Sequence, residues 1–158
     1  MKPIPTAIFT LILVASCTQE VSFNEEQALS EILHLHHSQR DHHFGKDSIS
    51  FVQQLAHNFA SVNAGVISFP SKKATLSRYH RYFSSVDFRR WDDVQEPIIR
   101  FSDDFSLAYT IVEKLVELEY ENEYGEVSLD STHFAWIAIY RNTHDGWKIE
   151  SVVSTNKP

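Results

Sequence analysis

The sequence predicts an α+β domain, and three observations carry the prediction. Apolar residues recur at helical spacing through the first half of the chain, as far as about Ser84. From Pro97 onward they alternate with polar residues in runs separated by turn-forming clusters. No repeat, low-complexity tract or long linker intervenes, so three helical segments followed by an antiparallel meander, helices on one face of the sheet, account for the chain.

Asn24 followed by Glu-Glu-Gln is a helix start, with Asn24 as N-cap and Gln27 placed to close a capping box. Ala28, Leu29, Ile32, Leu33, Leu35 and Phe44 continue the apolar stripe, and Gly45 ends it. A second helix is expected over about 48–59, with Ile49, Val52, Leu55, Ala56 and Phe59 on one side. Asn63-Ala64-Gly65 between two β-branched runs reads as a tight hairpin. Ser71 caps a third helix to about Ser84, with Leu76, Tyr79, His80 and Phe83 facing inward. The expected strands are PIIRFS, about 106–121, THFAWIAIYR and WKIESVVS, joined by turns at Asp103-Asp104, NEYGE and NTHDG.

The N-terminus has the build of an export signal: Lys2, an apolar run from Ile4 to Ala15, then small residues before Cys17. The run is shorter than the ~20 residues that spanning a bilayer requires. Val14, Ala15 and Ser16 resemble the lipobox of bacterial lipoproteins, which implies cleavage before Cys17 and acylation of that residue. A plain secretory signal with Cys17 at the cut site is the alternative. Residues 1–16 are therefore read as signal peptide, 17–23 as lipid anchor and tether, and 24–158 as the domain. Thr18, in place of an Asp after the cysteine, resembles the pattern sorted to the outer membrane. The expected location is the bacterial cell envelope, on the membrane through the acyl chains.

Cys17 is the chain's single cysteine, so the domain has no disulfide framework, thiol nucleophile or thiolate metal site. Loss of Lys2 with the signal takes the net charge from −7 to −8, which argues against nucleic acid as a partner. The charge is uneven. Residues 72–100 hold seven Lys/Arg against four Asp/Glu, whereas 103–130 hold nine acidic residues and only Lys114.

Two N-terminal helices, a small hairpin, a third helix ending in YHRYF, and then PIIRFSDDFSLAY, HFAWIAIYR and the terminal DGWKIESVVST together resemble the nuclear transport factor 2-like superfamily in its SnoaL-like branch. The resemblance covers residues 24–156. It departs at SDDF, where relatives commonly carry Gly after Asp and Asp104 stands instead. The resemblance implies a cone, a strongly bent antiparallel sheet wrapped around the helices with a pocket at one end. It also implies isomerases, cyclases, epoxide hydrolases and dimeric carriers among the relatives, so fold alone does not select a function.

Five of the nine histidines fall within residues 34–43. Helical geometry separates them. His36 and His43, flanked by Arg40 and Gln39, point with the apolar stripe, while His34, Asp41 and His42 point outward and His37 sits on the border. The outer set has i, i+3 and i, i+4 spacing, but one solvated helix face would have to supply every ligand, and no metal is expected. The inner set, His36, Arg40 and His43, reads either as a polar floor that orients a ligand or exchanges a proton, or as a buried network tying the helix to the sheet, with Arg40 on an acidic residue. Relatives carry a comparable His-apolar-x-x-Asp here, matched by His43, Phe44 and Asp47.

Strand alternation puts Phe134, Trp136 and Tyr140 on one face and His133, Ile137 and Arg141 on the other. With Tyr79, His80 and Trp91, these aromatics suit a pocket for a small, partly apolar ligand, though each taken singly is equally a core residue. Glu117, Glu119, Glu121 and Glu123 line a solvated strand face. The Asp, Tyr and Asp set of ketosteroid isomerases has no match here, and Glu113 is the free mid-strand carboxylate. No phosphate loop or nucleophile elbow occurs, and no cofactor is expected. The sequence supports a membrane-anchored envelope protein that binds a small molecule or a protein partner. Two alternatives stay open: an isomerase, cyclase or hydrolase using His36, His43 or Glu113 as acid/base, and a structural module that forms a homodimer through the sheet.

Overall fold

The computed structural model describes residues 24–157; the expected signal, Cys17 and the tether lie outside them. Helix α1 spans Glu25–Phe44, and the Asn24 side chain caps it by accepting from the Gln27 backbone N–H at 3.1 Å. Gln27 does not return a bond to Asn24; its side-chain amide donates to Glu31 at 2.8 Å. Ala28, Ile32, His36, Gln39 and His43 form the buried stripe, a spacing of four, four, three and four that keeps to one helical face. Among the described residues no helix is long and apolar enough to cross a membrane.

The second helix is shorter than expected. α2 covers Ser48–Gln53, its first turn capped by Asp47, whose carboxylate accepts from the Ser50 N–H at 2.9 Å. Residues Leu55–Asn63 form strand β1. Leu55 and Phe59 are both buried, and a separation of four residues fits one face of a strand as well as one face of a helix. Ile49, expected to face inward, is 60 % exposed. The hairpin to β2 (Val66–Ser68) turns through Ala64 and Gly65, both at positive φ (48° and 75°), the geometry of a tight two-residue turn. Ser71 then caps α3 (Lys72–Ser85) through the Ala74 N–H.

A strand absent from the sequence-based expectation follows at once. β3 spans Asp87–Asp93, and its pairing with β5 is irregular between Phe88 and Arg90. That bulge lets Phe88 and Trp91, three residues apart, both point into the core. β4 (Ile98–Phe101), β5 (Leu107–Glu121), β6 (Val127–Thr143) and β7 (Gly146–Asn156) complete the meander. In the turn before β5, Asp104 accepts from the Ser102 and Ser106 side chains and the Ser106 N–H, and Phe105, not Asp104, takes the positive φ of 52°.

The seven strands form one curved, unclosed sheet in the order β2-β1-β7-β6-β5-β3, with β4 on β5 beside β3. It is mixed: β1 runs parallel to β7, and every other pairing is antiparallel. The helices pack on the inner face around Ile32, Phe51, Phe83, Phe88, Tyr140 and Ile149. On the outer face an apolar row crosses the sheet, because Ile98, Ile111, Ile137 and Val153 are successive cross-strand partners. Each of the four is 40–43 % exposed, and the row continues through Val62 to Ile67.

Candidate ligand-binding site

The inner face of the sheet and the helices enclose a cavity of about 440 Å³. Its depth is apolar and buried: Phe51 of α2, Leu55 and Phe59 of β1, Trp91 of β3, Val116 of β5 and Ile149 of β7. Gln39 and His43 of α1 are the polar groups at that depth. Tyr79 and Tyr82 of α3 and Phe134 and Trp136 of β6 form half-buried walls. Ser61, Asn63, Arg78 and Ser154 are half-buried or exposed and form the polar rim.

His43 is held from every side. Its Nδ1 lies 2.6 Å from the Gln39 carbonyl oxygen, so Nδ1–H donates and the neutral ring carries its lone pair on Nε2. The ring stacks on Trp91, with centroids 4.4 Å apart, and meets Phe51 and Phe88 edge-on. Burial pulls this imidazole from about 6.5 down to about 4, with the Lys114 and His42 charges acting in the same direction against the Gln39 carbonyl. At neutral pH His43 is therefore an uncharged acceptor, and no carboxylate lines the cavity among the described residues.

Behind Trp91 lies a second, polar space of about 320 Å³, lined by His37, Arg40, Asp41, Asp92, Asp93 and Lys114. Asp93 is its hinge. Its Oδ2 accepts from His36 Nε2 at 2.9 Å, and its Oδ1 lies 2.9 Å from Lys114 Nζ. His36 is fully buried, and its Nδ1 has no hydrogen-bond partner. Lys114 is 2 % exposed, with Nζ 3.6 Å from the Trp91 ring centroid. Burial of Asp93 works against its charge, but His36 and Lys114 outweigh it and hold the carboxyl below its usual range; burial moves the Lys114 amine downward. Arg40 pairs with Asp92 at 3.2 Å. His36 and Arg40 thus tie α1 to β3 on this side of Trp91, and neither lines the larger cavity.

Of the remaining candidates, His43, Tyr79, Trp91 and Trp136 meet at the larger cavity, whereas His80 is exposed on α3 and does not line it. Glu113 points from β5 to the outer face, where its carboxylate lies 2.9 Å from His133 Nε2. Asp47 serves as the α2 cap. Sequence reasoning missed Lys114 and Asp93, which face each other across the β3–β5 pair, and the rim residue Arg78. The signal for Lys114 was its alternation with the buried Val112 and Val116. No group of three His, Asp, Glu or Cys side chains among the described residues is placed to hold a metal.

No family model matches the sequence, and neither does any curated protein. Solved structures do. A nuclear transport factor 2-like protein of unknown function in nutrient uptake from Rhodospirillum rubrum superposes with a TM-score of 0.64 at 18 % identity, covering 80 % of this chain and 98 % of its own. The chain has the nuclear transport factor 2-like fold. A ketosteroid isomerase-like protein from Erwinia carotovora atroseptica gives 0.65 at 15 % identity, over 86 % of this chain and all of its own. A nuclear transport factor 2-like protein from Cytophaga hutchinsonii gives 0.65 at 15 % identity, over 85 % and 100 %. The sequence-based expectation of a helix-filled cone therefore holds, with one parallel pairing added to the antiparallel sheet.

Proposed function

We propose that the domain binds a small, partly apolar molecule in the 440 Å³ cavity. The observation that carries this reading is a cavity walled by aromatic rings around one fixed, uncharged imidazole. Apolar walls supply affinity without selecting a partner, and a few placed polar groups set orientation. An acid/base enzyme of the isomerase, cyclase or hydrolase kind would have His43 as its titrating group in the cavity. A base held near 4 is weak at neutral pH, which favours binding over proton transfer.

Native mass spectrometry of the gently purified protein tests the reading. An organic mass that is retained by the wild type and lost from Trp136→Ala supports a binding module. A bound molecule that is chemically altered over time, and unaltered with His43→Phe, supports the enzyme instead. A protein that stays bare and binds no apolar compound removes both.

The sequence supports two further assignments. Cys17 is proposed as a lipidated anchor that holds the domain in the cell envelope, and a signal-peptidase II inhibitor should then cause the uncut precursor to accumulate. The outer apolar row is proposed as the contact between two copies of the chain, since such a row leaves apolar surface in water unless a partner covers it.

A further inference from the structure

Resting on the binding reading above, we infer that the ligand is an amphipathic anion: an apolar or aromatic body carrying one carboxylate, with Arg78 reading the charge at the cavity rim. With His43 neutral, Arg78 is, among the described residues, the single formally charged side chain lining the cavity. It holds no carboxylate among the described residues, whereas Arg40, Arg89, Arg90 and Arg141 each do. Its guanidinium rests on the Tyr79 ring, 4.9 Å from the centroid, which orients the group against a cavity wall.

The helix that carries it is an exception in this acidic chain. α3 bears Lys72, Lys73, Arg78 and Arg81 and no Asp or Glu, in a protein of net charge −7. A local reversal of sign at a cavity mouth raises the concentration of small anions there. The neutral rim groups, Ser61, Asn63 and Ser154, come from β1 and β7 and offer hydrogen bonds without opposing a negative charge. A carboxylate held at this partly wet rim keeps some hydration, so the site avoids the desolvation cost of a fully buried ion pair. The apolar body then occupies the aromatic interior, and a hydroxyl or N–H at its far end would meet an acceptor in His43.

Two matched pairs test the inference: decanoate against 1-decanol, and 1-naphthaleneacetate against 1-naphthaleneethanol. Trp91 and Trp136 line the cavity, so quenching of tryptophan emission reads binding directly in the purified protein. In at least one pair the acid should bind about tenfold tighter than its alcohol, a difference of ~1.4 kcal/mol. Arg78→Gln should bring that acid close to the affinity of the alcohol, and Trp136→Ala should weaken both members. Equal binding of acid and alcohol to the wild type overturns the assignment of charge while leaving the cavity reading standing. Discrimination that survives Arg78→Gln but is lost when Lys72, Lys73 and Arg81 are neutralised overturns the assignment to Arg78. Failure of all four compounds to bind removes the cavity reading and this inference together.

Discussion

The His43 imidazole and the Trp91 indole lie stacked, their centroids 4.4 Å apart and their planes inclined by 27°. The same indole has the Lys114 ammonium 3.6 Å from its centroid. Two groups so close to one ring take opposite faces, so Trp91 separates an uncharged base from a buried cation. A cation against an aromatic face is favourable, whereas a proton added to His43 would bring a second positive charge into the same apolar surroundings.

That arrangement sets a pH dependence. In the unfolded chain His43 titrates near 6.5, and in the folded chain near 4. Between these values the unfolded state takes up a proton that the folded state refuses. The stability linked to this group is therefore complete above pH ~6.5 and declines as pH falls toward 4, by on the order of 3 kcal/mol. Urea unfolding of wild type and His43→Phe across this window measures it. The wild type should lose stability more steeply, and parallel curves would show that His43 does not carry the effect.

The Asp93 network makes a second, separable prediction. Asp93→Asn weakens the partner of both the buried Lys114 and the buried His36, and should cost about 3 kcal/mol. Lys114→Met removes the cation but keeps its apolar stem against Trp91. The double variant should be more stable than the sum of the two losses by about 1 kcal/mol or more. Additive losses in denaturant titrations would mean that the two charges do not act as a pair.

The outer row offers a third test. Ile137 stands at its centre, between Ile111 and Val153, and is 40 % exposed. If two copies meet there, light scattering coupled to gel filtration gives twice the protomer mass for the wild type and a single protomer for Ile137→Glu. The substitution should leave the protomer folded, with helical and sheet circular dichroism unchanged. A wild-type protomer that remains single at the highest attainable concentration would exclude the contact.

Much of this fold was legible because its periodicities were clean. Asn24, Ser71 and the Asn63-Ala64-Gly65 turn marked their boundaries through side-chain chemistry that acts locally. Two strands were not fully legible, β1 in its first half and β3 throughout, for opposite reasons. In β1 the interval from Leu55 to Phe59 satisfies both helical and strand periods, so periodicity could not choose between them. In β3 a bulge shifts the alternation between Phe88 and Trp91, and the other five residues are all charged, so no strand pattern shows.

The site was partly legible for the same reason. Helical angles placed His36 and His43 on one inward face, but which of two spaces each would meet depended on Trp91, whose position follows from that bulge. Glu113 and Lys114 are neighbours in sequence with opposite fates. One faces solvent beside His133 and the other is buried against Asp93, a choice made by strand register and not by residue type.

The parallel pairing of β1 with β7 carries a consequence for how the molecule is made. Leu55 waits for Ile149, and Asn63 for Ser154, so β1, paired early with β2, finds its second neighbour only when β7 has emerged. Contacts between such distant positions form slowly, because a long loop must close before they are gained. Until then β1 and β6 both present open edges, and a chain stopped short of its final strand keeps them open as sites for aggregation. The order of the strands thus keeps the polypeptide unlocked until β7 arrives.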